Sequence, residues 1–382
     1  PSDLIPKGDF MANKKILIID ETLREGMQYR GLMFSPAQRL KILEFQEQLR
    51  VDICQAGYPS AHDLEADAVR TLCQHAKKNH YTIRIAAMGR ANLHDAAMIM
   101  DTQVNDLHFH LHIKNDVTPD QLNKILHDLS KTIAFIKEKN SSTSISIAML
   151  DIGKSDALIL EQCISFLRHH PIDMLSLADT SGIMAPNQVF EKITQLSSKA
   201  GNIDISIHCH NDMGMAAANS VMGILAGGKV LEASALGIGE RNGIADLYTT
   251  AKTLQDQGVD INLNTDDLTT FKAYYTYVDA IVYEQTHDHL LTLNTPVFGD
   301  AVKTHVAGTH AGGEYGLASE EHFFLNILCG KHLIKKYLDS HNISYSADIL
   351  DILTIKIKSK SAQLNRCLTQ QDIEGIISSL SD

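Results

Sequence analysis

The chain of 382 residues contains no tryptophan, and none of its apolar runs approaches the length of a membrane span. About 20 consecutive apolar residues are needed to cross a bilayer as a helix, so that class is excluded. The opening PSDLIPKGDF has no apolar stretch of the kind a secretory signal carries, and Met11 is a candidate natural start. Basic residues are outnumbered, 34 Lys+Arg against 46 Asp+Glu, for a formal net charge of −12. That balance argues against nucleic acid as the main partner. The cysteines (Cys54, Cys73, Cys163, Cys209, Cys329 and Cys367) form no CxxC pair and no compact array. A reduced, cytoplasmic protein is the simplest reading. Low-complexity, collagen-like and coiled-coil segments are also missing. What remains is 44% hydrophobic, enough for a large domain and a smaller one.

The chain is organised around Ile16–Gln28, ILIIDETLREGMQ. Four apolar residues, Ile16 to Ile19, read as a short buried strand. Asp20, Glu21, Thr22, Arg24, Glu25 and Gln28 follow at once. Crowding carboxylates, a guanidinium and an amide at a strand exit is costly unless something binds there. The same rhythm then repeats. Strands are expected at 51–56, 81–86, 104–110, 144–149 and 173–178, a seventh in the segment that carries the histidine pair of 206–212, and an eighth at 230–235, in strand-to-helix units with polar turns. Ser35 before Pro36 is a helix start, and the helix is expected to run to Arg50. Eight strand–helix units predict a closed (β/α)₈ TIM barrel with its site at the strand C-termini. An open doubly wound sheet is the competing architecture. The barrel is expected over 14–265, a linker or lid segment over 266–319 with a helix at 266–291 and a turn-rich stretch at 295–314, and a small helical C-terminal lobe over 320–382.

Ser206–Asp212 repeats the design of the first strand, an apolar run ending in His208-Cys209-His210-Asn211-Asp212. Residues two apart in a strand point the same way, so His208 and His210 can present both imidazoles to one point. Cys209 alternates away and is expected to pack. Either Glu25 or Asp20 is the candidate oxygen donor to join the histidines around a divalent metal. Imidazole and oxygen ligands suit Mn²⁺, Mg²⁺, Zn²⁺ or Fe²⁺. Arg24 offers fixed donors to an enolate or carboxylate oxygen. Gly237–Gly243, GIGERNG, fits neither a dinucleotide fingerprint nor a phosphate loop. Its glycines are expected to permit close backbone approach, with Asn242 either a residue that supports a metal ligand from behind or a turn residue. His108, His110 and His112 alternate after the fourth strand, and His110 and His112 are expected to contact substrate or to support a metal ligand from behind.

DETLREGMQ, LADTSG, HCHNDMGMAAANS, GIGERNG and HVAGTH together resemble the isopropylmalate synthase/homocitrate synthase family, acyl-CoA-dependent Claisen condensation enzymes of the DRE-TIM metallolyase type. The resemblance runs from Ile16 into the C-terminal lobe. It implies a metal-binding (β/α)₈ barrel that acts as an acyl-CoA:2-oxo acid C-acyltransferase in amino-acid biosynthesis, working as a homodimer. It also implies acetyl-CoA as co-substrate and a 2-oxo acid as acceptor, with the acyl group converted to alkyl on transfer. Carried over residue by residue, it makes Glu25, His208 and His210 metal ligands. Arg24 polarises the oxo group, Thr180 contacts the substrate carboxylate, and Gln28 and Arg90 line the pocket with His110 and Asp20. Catalysis falls to Arg24, Glu25 and His310, the last as the acid–base residue. Three departures stand out. Ser146 occupies the position where the homocitrate branch carries an arginine, Leu150 stands where a glutamate is usual, and Ile244 replaces an asparagine of many isopropylmalate synthases. The alternatives are a homocitrate synthase proper using 2-oxoglutarate, a related metal-dependent carbon–carbon lyase, and a non-catalytic metal-binding scaffold.

Overall fold

The computed structural model describes residues 15–306 and 322–381. Eight parallel strands close into a barrel in strict sequence order. They are β1 (Leu17–Asp20), β2 (Ile53–Gln55), β3 (Arg84–Arg90), β4 (Asp106–Leu111), β5 (Ser144–Met149), β6 (Met174–Asp179), β7 (Asp204–Cys209) and β8 (Val230–Ala233). Closure is made by β1 against β8, with Leu17 opposite Val230 and Asp20 opposite Ala233. The expected TIM barrel is therefore the observed one.

The intervening helices are α1 (Pro36–Gln48), α2 (Asp63–Lys78), α3 (Leu93–Asp101), α4 (Pro119–Lys139), α5 (Ala157–Leu167), α6 (Pro186–Ala200), α7 (Ala216–Leu225) and α8 (Leu247–Asp256). Local chemistry explains their starts. Ser35 caps α1 in a reciprocal box with Gln38, with Pro36 at the first position. Thr118 and Gln121 repeat that box on α4, again with proline at the first position. The largest difference from the expected boundaries is β3. It continues through Met88-Gly89-Arg90, read from the sequence as a turn, because those residues pair with His108, Phe109 and His110 of β4.

A ninth helix, α9 (Leu268–Thr286), belongs to the same compact unit, which runs to Leu290. It falls within the segment read as a linker, yet Tyr274 and Tyr275 are among the largest fully buried side chains. Tyr274 stacks on Phe45 of α1, and Tyr275 donates to Asp246 at the start of α8.

The second unit begins at Leu291. Its core is formed by residues such as Leu333, Ile334, Leu353 and Ile357, from α10 (Lys331–Ser340) and α11 (Ala347–Leu364), and Ile373 of α12 (Gln370–Ser381). A short parallel pair joins β9 (Thr304–His305) to β10 (His322–Phe323), where the sequence suggested the start of a helix. None of the described helices is long and apolar enough to cross a membrane.

Candidate active site and metal centre

Alternation along the barrel strands sets the site. Ile19, Ile53, Ala86, Met174 and Val230 form one apolar cluster inside the barrel. Two residues further along the same strands stand Glu21, Gln55, Met88, Ser176 and Glu232. Because side chains two apart share a face, the apolar floor gives way to a largely polar layer at the strand C-termini.

Arg24 is the hub of that layer. Its Nη2 donates to Glu21 Oε2 at 2.9 Å, Nη1 to Glu25 and Nε to Gln55. Burial opposes the guanidinium charge, but Glu21 and Glu25 outweigh it and keep Arg24 ionised. Gln55 in turn places its amide nitrogen 2.8 Å from His108 Nδ1, so that nitrogen accepts and the His108 proton sits on Nε2. Burial lowers the His108 pKa, in keeping with a neutral ring.

Glu25 is 2% exposed and lies on a 3₁₀ turn, Glu25–Gln28. Burial raises its pKa, yet Arg24 and His208 reverse that and hold the carboxyl below its usual range. With its amide nitrogen toward Glu25, Gln28 donates to both carboxylate oxygens at 2.9 and 3.0 Å. The Glu240 backbone N–H donates to Oε1 at 3.1 Å. This approach explains Gly239, since a Cβ there would lie 2.9 Å from Glu25 Cγ.

His208 and His210 both turn inward from β7 and its exit, with their Nε2 atoms 3.3 Å apart. On the other side of His208, Nδ1 lies 3.0 Å from Glu21 Oε2 and 3.0 Å from Glu232 Oε2. Burial disfavours the charged ring, but the two carboxylates dominate and raise the His208 pKa to about 10. His210 goes the other way, to about 3, through burial and the neighbouring His208. Glu232 falls to about 2 despite burial, held by His208 and by a 2.6 Å hydrogen bond from Ser206. Cys209 points out of the barrel and is buried, and the six cysteines are all unpaired.

These donors fit a divalent cation. Glu21, His208 and Glu232 offer ligand atoms within 4.8 Å of one another, the group of this kind found among the described residues. Glu21 Oε1 and His210 Nδ1 are buried without a hydrogen-bond partner. Buried polar atoms in native proteins are rarely left so, and a bound ion is one thing that satisfies them. Charge points the same way. Glu21, Glu25 and Glu232 against Arg24 leave two negative charges when His208 is a neutral ligand, and a dication offsets them.

A cavity of about 220 Å³ opens over this layer. It brings together Arg24, Glu25, Gln28, His110, Thr180, His208 and His210 of the residues expected from the sequence. Thr180 Oγ1 accepts from the Asp151 N–H at 2.9 Å, which leaves its own hydroxyl proton available. Three expected residues are elsewhere. Asp20 faces away from the barrel interior, where Oδ1 accepts from Thr22 and Oδ2 from the Tyr274 hydroxyl at 2.9 Å, because it alternates with Ile19 and Glu21. Arg90 is 59% exposed and is turned onto Asp95. Asn242 is exposed, with one long contact to the Asp212 carbonyl. His310 lies outside the described residues.

Sequence reasoning missed Gln55, Tyr58 and Glu232, and gave Glu21 and His108 no role. Glu232 carried a signal, a single carboxylate inside the apolar run Val230–Ala235. Gln55 carried a fainter one, an amide closing the short strand VDICQ.

Comparison with known proteins agrees with the motif resemblance. Residues 15–274 match the HMGL-like family. The chain belongs to that family. It is 26% identical to the "Probable 2-isopropylmalate synthase" of Methanosarcina acetivorans over 97% of this chain and 72% of that one. It is 27% identical to a "Homocitrate synthase" of Saccharolobus islandicus over 91% of this chain and 77% of that one. The crystal structure of the HMG-CoA lyase from Brucella melitensis superposes with a TM-score of 0.59 at 16% identity. It covers 70% of this chain and 99% of its own, a likeness of fold.

Proposed function

We propose that this HMGL-like protein is a divalent-metal-dependent acyltransferase that condenses acetyl-CoA with a 2-oxo acid. One observation carries the reading: the polar cavity adjoins a second, largely apolar groove of about 930 Å³, and Arg24, Gln28 and Tyr58 line both. A small charged acceptor fits the first compartment, and the thioester arm of an acyl carrier fits the second. The shared wall is where their reactive carbons meet. The curated relatives, a probable 2-isopropylmalate synthase and a homocitrate synthase, support the same chemistry.

In this proposal Glu25, His208 and His210 would hold the cation, the two imidazoles facing each other across 3.3 Å and Glu25 supplying a carboxylate. Glu21 and Glu232 then orient His208 from its Nδ1 side, as carboxylates commonly do behind a metal-bound imidazole. When bound, the cation acts as a Lewis acid toward the oxo group of the acceptor. Arg24 donates to the same developing oxyanion, and its own carboxylate partners fix its direction beforehand. Thr180 donates its hydroxyl proton to the acceptor carboxylate. The closeness of Glu21, His208 Nδ1 and Glu232 favours a second placement, with the cation on that side of the ring.

Condensation leaves a CoA thioester, which water then hydrolyses to a carboxylate and free CoA, so the test is thiol release from acetyl-CoA with Mn²⁺ or Mg²⁺ and a panel of 2-oxo acids, with the condensed product verified by mass. The panel holds 2-oxoisovalerate, pyruvate, 2-oxoglutarate, oxaloacetate and glyoxylate. Release that depends on one 2-oxo acid supports the reading and names the acceptor. Silence across the panel from metal-loaded protein overturns it.

A further inference from the structure

Among the described titratable residues lining the cavity, most are already committed. Glu25 is held by Arg24, Gln28 and a backbone N–H, and Glu232 by His208 and Ser206. His208 and His210 face the proposed cation. Glu240 is half exposed beside Arg241. Tyr58 and His110 remain. The Tyr58 hydroxyl lies 3.0 Å from His110 Nε2, their rings are tilted together at 6.0 Å, and both line the cavity. Tyr58 also lines the apolar groove, so the pair stands where the two compartments join.

The surrounding structure holds this pair in place. Tyr58 sits at the turn after β2, where its N–H donates to Glu65 Oε1 at 3.1 Å. Glu65 is in turn locked to the buried Arg39 at 2.6 Å. At Gly57 a Cβ would run into the same Glu65 carboxylate that the Tyr58 N–H engages, so glycine leaves that contact undisturbed. Behind the Tyr58 ring, Asp95 accepts from Ser60 at 2.7 Å and from Arg90, and lies 3.5 Å from the Tyr58 hydroxyl. His110 is presented by β4, in register with Arg90 of β3. Burial and then Arg24 keep the imidazole neutral, whereas burial and then Asp95 keep the phenol protonated. The Tyr58 hydroxyl thus has two acceptors in reach, Asp95 Oδ2 at 3.5 Å and, with the imidazole proton on Nδ1, the nearer His110 Nε2 at 3.0 Å, and in that tautomer the pair is a proton acceptor with its proton path formed.

We infer that Tyr58 and His110 act as one catalytic base on the acyl donor, taking the proton from the carbon next to the thioester carbonyl. The inference rests on the proposed condensation. The α C–H bond breaks, its proton passes to Tyr58 Oη, and the Tyr58 proton moves to His110 Nε2. The electron pair of the C–H bond becomes the new carbon–carbon bond to the oxo carbon of the acceptor. The charge displaced onto the oxo oxygen is received beside Arg24. The imidazolium then returns its proton through Tyr58 to that oxygen or to water, restoring the pair. Using the phenol as the first acceptor places the basic group on the groove side, where the donor arm enters.

The experiment compares wild type, Tyr58→Phe, His110→Gln and the double variant, using protonated and methyl-deuterated acetyl-CoA with the acceptor identified by the panel. Each single variant is expected to lose about 10²–10⁴-fold in kcat, the usual worth of a positioned general base. KM for the 2-oxo acid should stay within about twofold, and metal content and melting temperature should match wild type. The deuterium effect on kcat should grow, and the double variant should be no worse than either single, since the two work as a unit. A merely structural pair would move stability or KM and leave the isotope effect alone. If Tyr58→Phe melts early, His110→Gln decides alone. A folded variant that keeps more than about a third of wild-type kcat overturns the inference while the condensation stands. A wild type that releases no thiol with any acceptor overturns both.

Discussion

The two layers of the barrel interior are built from the same strands and obey opposite rules. Ile19, Ile53, Ala86, Met174 and Val230 close the floor with apolar atoms alone. One alternation higher, Glu21, Gln55, Ser176 and Glu232 carry polar groups into an equally buried place, with Glu21 0% and Glu232 4% exposed. The floor gains from exclusion of water, whereas the layer above bears a desolvation cost that only partners can offset. The difference separates the residues that hold the barrel from those the barrel exists to hold.

The comparison can be broken most severely from the floor. Replacing Ile53 by aspartate puts an unpaired charge among apolar neighbours and is expected to remove more than about 4 kcal/mol, enough to abolish cooperative unfolding in denaturant titrations. In the upper layer, Arg24→Met should leave a folded protein whose thiol release falls by about 10²–10³-fold, as for loss of a preorganised oxyanion donor. A melting curve distinguishes the two outcomes, since the floor variant loses its transition and the upper-layer variant keeps it.

Metal binding sharpens the picture within the polar layer. Chelation should lower the melting temperature, because a cation present at 100 times its dissociation constant adds about 2.7 kcal/mol. With the cation on the Nε2 side of His208, His210→Gln should strip metal at micromolar concentrations, and Glu232→Gln should weaken it only about 10–100-fold. Measured metal content after dialysis in the reverse order would move the cation to the Glu21–Glu232 side. The smallest effects belong to residues that the structure turns away from the cavity. Asn242→Ala and Arg90→Ala should change activity by less than about twofold and the melting temperature by no more than about 2 °C. A tenfold loss in either would return that residue to the site.

Much of this was legible in the chain. Periodicity alone located all eight strands, because a parallel barrel strand is a short apolar run bounded by turns. The ends of β3 were misread because Met88-Gly89-Arg90 looks like a turn until its partner His108–His110 is known. His208 and His210 were legible from their spacing, and Arg24 from its neighbours. Asp20 was assigned to the pocket although the alternation of β1 runs through it to Glu21 and turns it onto Thr22 and Tyr274. Arg90 was misplaced because Asp95, five residues on, captures its guanidinium.

The amino-acid sequence by itself determined the barrel, the end of it that carries the site, and the residue types gathered there. Strand periodicity, helix caps and alternation are local, acting over two to four residues, so they can be read without the rest of the chain. Only the tertiary structure decided which polar groups meet. Glu232 reaches His208 from the neighbouring strand, Gln55 links Arg24 to His108 across three strands, and Tyr58 reaches His110 from 52 residues away. Those pairings depend on barrel closure and strand register, which place residues distant in sequence within hydrogen-bond reach.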